Sequence, residues 1–272
     1  MAKALIIGVG LYPFRKFSIH GDEDAVYFGN KLVSLRPTLF SQDNTRLLLN
    51  ERATSAAIFE RLDWLFKNSA PNETLVLYFS GGSSLVAERD QATGKIDGQS
   101  EPCIVPYDVE DTKAIPLSNF LSVLKAANAR LVVILDTAFE YLETYVKPEI
   151  GLSMATSRFL DSAQSKVIAP PLDVAFRRID QPWSRVSLRM PRKGVLFYPG
   201  GEAPTLSPIV CPSTRSGSMF TELFCDSWEV DKDSKYMDLY NTFVAKTTKI
   251  PVTFTPRVAF GSEEMRQAIA FK

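Results

Sequence analysis

Short uninterrupted apolar runs alternate along the chain with stretches in which apolar positions recur every three or four residues. The first pattern reads as strands buried on both faces and the second as amphipathic helices. Their alternation predicts an α/β fold, a mostly parallel central sheet with helices on both faces. The strand segments are Ala4 to Val9, Arg46 to Leu49, Thr74 to Ser80, Cys103 to Val105, Leu131 to Asp136, Gly194 to Tyr198 and Arg257 to Phe260.

Between the strands, Ala25, Phe28, Leu32 and Leu35 share one helical face. Ile58, Leu62, Leu65 and Phe66 share another, with Thr54 placed to cap its start. Pro116 is suited to the first turn of a third helix carrying Leu117, Phe120, Leu121 and Leu124. Further helices are expected over Ser218 to Ser227 and Lys235 to Ala245. From Lys147 to Lys193 the alternation is lost and Pro170, Pro171, Pro182 and Pro191 appear, which predicts a long connection between two parts of one sheet. Between Lys166 and Lys193 seven basic residues face only Asp173 and Asp180, which reads first as a solvated loop, with a basic segment exposed to a trypsin-like protease as the functional alternative.

At 272 residues the chain can bury one large core. Lys plus Arg and Asp plus Glu both number 31, so no global field steers the protein toward nucleic acid or an anionic membrane, and neither partner is expected. Cys103, Cys211 and Cys225 are an odd set without CxxC spacing, which fits a reducing compartment better than a disulfide framework or zinc site. The apolar start ALIIGVG is too short for a signal core, so a cytoplasmic location is expected. Gly8 and Gly10 hint at a dinucleotide turn, but Pro13 stands where the fingerprint needs glycine.

In order, ALIIGVG, HGDEDA (20–25), TSAAIFERLDWL (54–65), ETLVLYFSG (73–81), CIVPYD (103–108) and VVILD (132–136) resemble the large-subunit region of caspase-like cysteine peptidases, most of all metacaspases and their bacterial relatives. GVLFYPGG (194–201), GSMFTELF (217–224) and TPRVAFGS (255–262) resemble the small-subunit region. The resemblance implies a caspase-like fold in one structural domain. Residues 1–146 form its large-subunit-like part, 147–193 the connecting segment and 194–272 the small-subunit-like part.

In that family a strand ending in SGHG delivers the catalytic histidine, and a neighbouring strand ending in Asp-x-Cys-His-Ser-Gly delivers the cysteine. Here the first motif reads SGGS, with Gly82 at the histidine position. The second reads DTAFEY, with Ala138 at the cysteine position and Phe139, Glu140 and Tyr141 after it. A cysteine peptidase attacks through a thiolate kept reactive by an imidazole, and a methyl group and a hydrogen do neither. Backbone N–H groups near Ser83 and Ala138 remain as oxyanion donors, but such donors form no acyl-enzyme. A lone engineered Cys-to-Ala change would not also remove the histidine and rewrite residues 139–141, so natural loss is the better account. For displaced chemistry the chain offers His20, its one histidine, read as a loop residue, and Cys103 and Cys225, read as packing residues. Cys211, in a loop before Pro212, is the remaining thiol.

The resemblance further implies a pocket for Arg or Lys, built in metacaspases from an Asp at the start of the first helix, the Ser of SGHG and the Asp two residues before the cysteine. These positions are Asp24, Ser80 and Asp136. Two converging carboxylates suit a guanidinium or an ammonium. Each residue also has a plainer use, at a helix start, in a turn or in a loop. Many members bind calcium, but Glu101 matches only one acidic ligand, and Leu117 and Ser118 stand where paired aspartates belong. No metal and no cofactor are expected. The sequence therefore reads as a caspase-like pseudoprotease that binds a basic protein segment or regulates a partner such as an active relative. The alternative is an Arg/Lys-specific cysteine endopeptidase using displaced residues.

Overall fold

In the central strands, alternation divides the side chains between two cores. Leu5, Ile7, Leu75, Leu77, Phe79, Leu131, Val133 and Leu135 belong to one. Ala4, Ile6, Val76, Tyr78, Val132, Ile134, Val195 and Phe197 belong to the other. A computed structural model of the chain describes residues 2–13, 19–89, 96–109, 114–116, 120, 123–124, 129–147, 150–153, 190–200, 217–249 and 255–272. Its strands are β1 (Ala2–Gly8), β2 (Thr45–Leu49), β3 (Thr74–Arg89), β4 (Ile96–Ile104), β5 (Ile115–Pro116), β6 (Arg130–Lys147), β7 (Ile150–Ser153), β8 (Gly194–Gly200) and β9 (Thr255–Phe260). The sheet runs β2-β1-β3-β6-β8-β9, parallel except for β9, with β4 and β7 paired antiparallel to β3 and β6 and β5 beside β4.

Helix α2 (Ser55–Phe66) covers the first core with Ile58, Leu62 and Leu65, and Thr54 caps it by accepting the Ala57 N–H at 3.2 Å. On the other face lie α1 (Gly21–Leu35), α3 (Met219–Val230) and α4 (Tyr236–Thr247), with the short α5 (Glu263–Gln267) near the end of the chain. An aromatic cluster ties these helices to the sheet. Phe28 stacks on Tyr78 at 4.4 Å between centroids, Phe224 meets Phe197 edge-on at 5.1 Å, and Trp228 packs on Phe271 at 4.2 Å. Each such ring contributes about 1.5–3 kcal/mol by leaving water. Strands from the first part of the chain and from the last thus share one sheet, and helices from both share one core.

The structure departs from the expected elements in three places. Pro116 lies in the edge strand β5, opposite Cys103, not in the first turn of a helix. An edge position tolerates its missing N–H. The helix expected after it falls largely outside the described residues. Strands β3 and β6 do not end at Ser80 and Asp136 but run on. Lys147 still belongs to β6, and β7 lies inside the expected connection, most of which, with its basic segment, is outside the described residues.

Candidate functional site

Close packing at the carboxyl end of β1 and at Ser80 within β3 brings the first helix onto the sheet. A Cβ at Gly8 would lie 2.4 Å from the Gly21 carbonyl oxygen and 2.5 Å from the Ala25 Cβ, and one at Gly21 would lie 2.6 Å from the Ser80 carbonyl oxygen. Only glycine permits both approaches. The first turn of α1 is thereby pressed against β1 and β3, and Asp24 within it reaches Ser80, whose Oγ donates to Asp24 Oδ2 at 3.4 Å.

The three residues expected to form a pocket do come together, with a fourth element between them. Ser80 and Asp136 are direct partners in the β3/β6 ladder, and Asp24 and Asp136 are buried, at 1% and 7% exposure. Between the carboxylates sits Ser218, the residue before α3. Its N–H donates to both oxygens of Asp24, at 2.9 and 3.1 Å, and its Oγ donates to Asp136 Oδ1 at 2.9 Å. The same Oγ accepts the Phe220 N–H at 3.1 Å, so Ser218 caps the helix and joins the carboxylates at once. One turn on, the Thr221 hydroxyl donates to Asp136 Oδ2 at 2.5 Å and is hydrogen-bonded to the Tyr78 phenol. Burial first, then the charges of Asp136 and Asp24, push the Tyr78 phenol well above its ordinary value. Gly217, at φ 149°, occupies backbone space that favours glycine and turns the chain so that Ser218 enters between the acids.

Sequence reasoning missed Ser218, Thr221 and Tyr78. A serine directly before an apolar helix was a legible cap. Its reach to carboxylates 194 and 82 residues away in the chain was not.

Two residues further along the same strands, Gly82 faces Ala138 in the ladder. No loop opens at either position. The Gly82 N–H donates to Tyr12 Oη at 2.8 Å, and its carbonyl accepts the Val105 N–H at 3.0 Å. Tyr12 Oη in turn donates to the Val105 carbonyl at 2.9 Å. A Cβ added at Gly82 would meet Tyr12 Oη at 3.2 Å, so the phenol stands against the place an imidazole would start from. Ser83 is paired on both sides, with Ile104 of β4 and Phe139 of β6. Backbone donors at Gly82 are thus spent on the protein itself.

Among the described residues the displaced candidates are dispersed. His20 precedes α1 in a left-handed conformation, φ 60°, and its Nδ1 lies 3.2 Å from Glu23 Oε1. Cys103 and Cys225 are both buried, in the cores on opposite faces of the sheet. Cys211 lies outside the described residues. Glu101 is in β4, and Leu117 and Ser118 are outside the described residues. Among the described residues no three His, Cys, Asp or Glu side chains are grouped to hold a metal, and no helix is long and apolar enough to cross a membrane.

A mostly parallel sheet with helices on both faces, carrying its candidate site on two adjacent central strands where the first helix meets the sheet, defines an α/β protein of caspase-like architecture. Solved structures agree on that fold. Protein GSU0716 from Geobacter sulfurreducens matches with a TM-score of 0.62 at 11% identity, covering 100% of this chain and 98% of its own. Pro-sf-caspase-1 matches at 0.51 and 9% identity, over 96% of this chain and 87% of its own. The Drosophila initiator caspase Dronc matches at 0.51 and 10%, over 96% and 80%. The sequence profile of the metacaspase, peptidase C14 domain matches residues 3–142, just over half of the chain, and the protein belongs to that family. Among curated proteins none matches.

Proposed function

We propose that this protein is a member of the metacaspase family that binds protein segments and does not cut them. The observation that carries this reading is the ladder pairing of Gly82 with Ala138, at the two positions where the family's histidine and cysteine belong. Neither side chain can hold a proton or attack a carbonyl, and the Gly82 N–H is already bonded to Tyr12. The ligand chemistry that suits the remaining rim is a basic side chain, arginine or lysine, presented to Asp24 and Asp136. Two buried cysteines, Cys103 and Cys225, in cores on opposite faces of the sheet, fit work in a reducing compartment such as the cytoplasm.

The test is incubation of the full chain with fluorogenic arginine and lysine peptides, with and without calcium and with a thiol alkylator. No turnover is expected under any condition. Turnover that alkylation abolishes would overturn the proposal in favour of a peptidase with displaced residues.

A further inference from the structure

Ser218 holds the position a basic guest would need. A guanidinium entering between Asp24 and Asp136 must approach the same oxygens that the Ser218 N–H and Oγ now occupy, at 2.9 to 3.1 Å. The two carboxylates are buried, whereas Ser218, which holds them, is only half-buried. We infer that Ser218 is a built-in competitor, a latch at the start of α3 that closes the acidic pair and must swing out before an arginine or lysine side chain can bind. This rests on reading the acidic pair as a basic-residue site and adds its regulation.

The chemistry of the exchange is favourable in one respect and costly in another. Ser218 and Thr221 offer the carboxylates neutral donors. A guanidinium offers paired, charge-assisted bonds of roughly twice the strength. Against that, release of Ser218 removes the cap from the Phe220 N–H and uncovers the first turn of α3. Gly217 is where such a movement would turn, because its backbone is free of the Cβ that restricts other residues. Binding at the acidic pair and docking of the α3 N-terminus would therefore exclude one another. Since α3 belongs to the small-subunit-like part and Asp24 and Asp136 to the large-subunit-like part, occupancy of the pair would loosen the joint between them.

The experiment is calorimetric titration of a blocked arginine peptide amide into the full-length parent, Ser218→Ala and Thr221→Val, joined to hydrogen exchange of the Ser218 amide in the parent. Ser218→Ala should bind about ten-fold tighter than the parent, as expected when one hydrogen bond no longer has to be broken. The Ser218 amide should exchange faster in the complex, because Asp24 has released it. Measurable binding with equal affinity in parent and Ser218→Ala, or an amide no faster in the complex, overturns the latch and leaves the basic-residue reading standing. No binding by parent, Ser218→Ala or Thr221→Val overturns the basic-residue reading itself and the latch with it. If Ser218→Ala fails to fold, the amide exchange rate in the parent decides the matter alone.

Discussion

Two facing pairs on β3 and β6 stand two positions apart and differ in kind. On the reading proposed above, Ser80 with Asp136 has the polar residue types of the family pocket, while Gly82 with Ala138 stands where the family's reactive ones belong. The difference lies in what each pair holds. Asp136 accepts from Ser218 and Thr221 and so fastens the start of α3 to the sheet. Gly82 and Ala138 pair through their backbones, and Gly82 has no side chain with which to fasten anything. Packing uses these polar groups, so Asp24, Ser80 and Asp136 have a structural reason to be there that is separate from any ligand.

The strongest way to break this comparison is to remove one member of each pair. Asp136→Ala leaves the half-buried Ser218 hydroxyl and the buried Thr221 hydroxyl without their carboxylate acceptor and should cost about 3 kcal/mol of folding stability. Gly82→Ala asks Tyr12 to shift by a few tenths of an ångström and should cost about 1 kcal/mol or less. Chemical denaturation of the two variants measures the gap. Equal losses would mean that the vacated pair is as structural as the retained one.

A second, smaller effect separates the two pairs by pH. Tyr78 joins the retained pair through Thr221, and burial with the nearby carboxylates raises its phenol above the ordinary value. Below about pH 10 the phenol is neutral in both folded and unfolded chains and contributes no pH dependence. Above it the unfolded chain ionises while the folded chain does not, so stability falls as pH rises, by up to about 1.4 kcal/mol per pH unit from this group. Tyr236, also buried and raised, adds a similar fall of its own. Tyr78→Phe should remove one share of the alkaline slope, read by denaturant titration between about pH 9 and about pH 11. A slope unchanged from the parent would take Tyr78 out of the network.

How much of this was readable in the sequence differs between the pairs too. The strands, the two faces and the helix starting at Ser218 follow from apolar periodicity and a cap residue, which are local signals. Gly82 and Ala138 are read as substitutions from the flanking YFSG and VVILD runs, which are local signals as well. Three things depended on non-local contacts and left no local trace. Strands β3 and β6 run past Ser80 and Asp136 because each finds the other as a partner, and a Gly or Ser in the sequence looks the same in a ladder as in a loop. Tyr12 reaches Gly82 and Val105 across a distance of 70 and 93 residues. Ser218 reads as a cap and acts as a clasp, since nothing in GSMF announces the two acids on the far side of it.

The smallest expected effect is the most telling about the vacated pair. Gly82→His combined with Ala138→Cys restores the family's two residue types on the same strands, and stability should change by only about 1 kcal/mol. Turnover of arginine peptides should stay at background all the same. The imidazole would begin 3.2 Å from Tyr12 Oη, which is held in place by the Gly82 N–H and the Val105 carbonyl, so the ring is turned by the phenol before it can orient on a thiol. With the imidazole misplaced, the introduced thiol keeps the ordinary pKa of about 8.5, and its alkylation rate should rise with pH through that value. A midpoint well below it, or measurable turnover, would show that the seats remain poised and that loss of two side chains alone silenced the site. Tyr12→Phe in the same background sharpens the point, because the ring stays while its two hydrogen bonds go. If the phenol's bonds fix the obstruction, that third change lowers the thiol midpoint, whereas an unmoved midpoint places the obstacle in the continuous ladder itself.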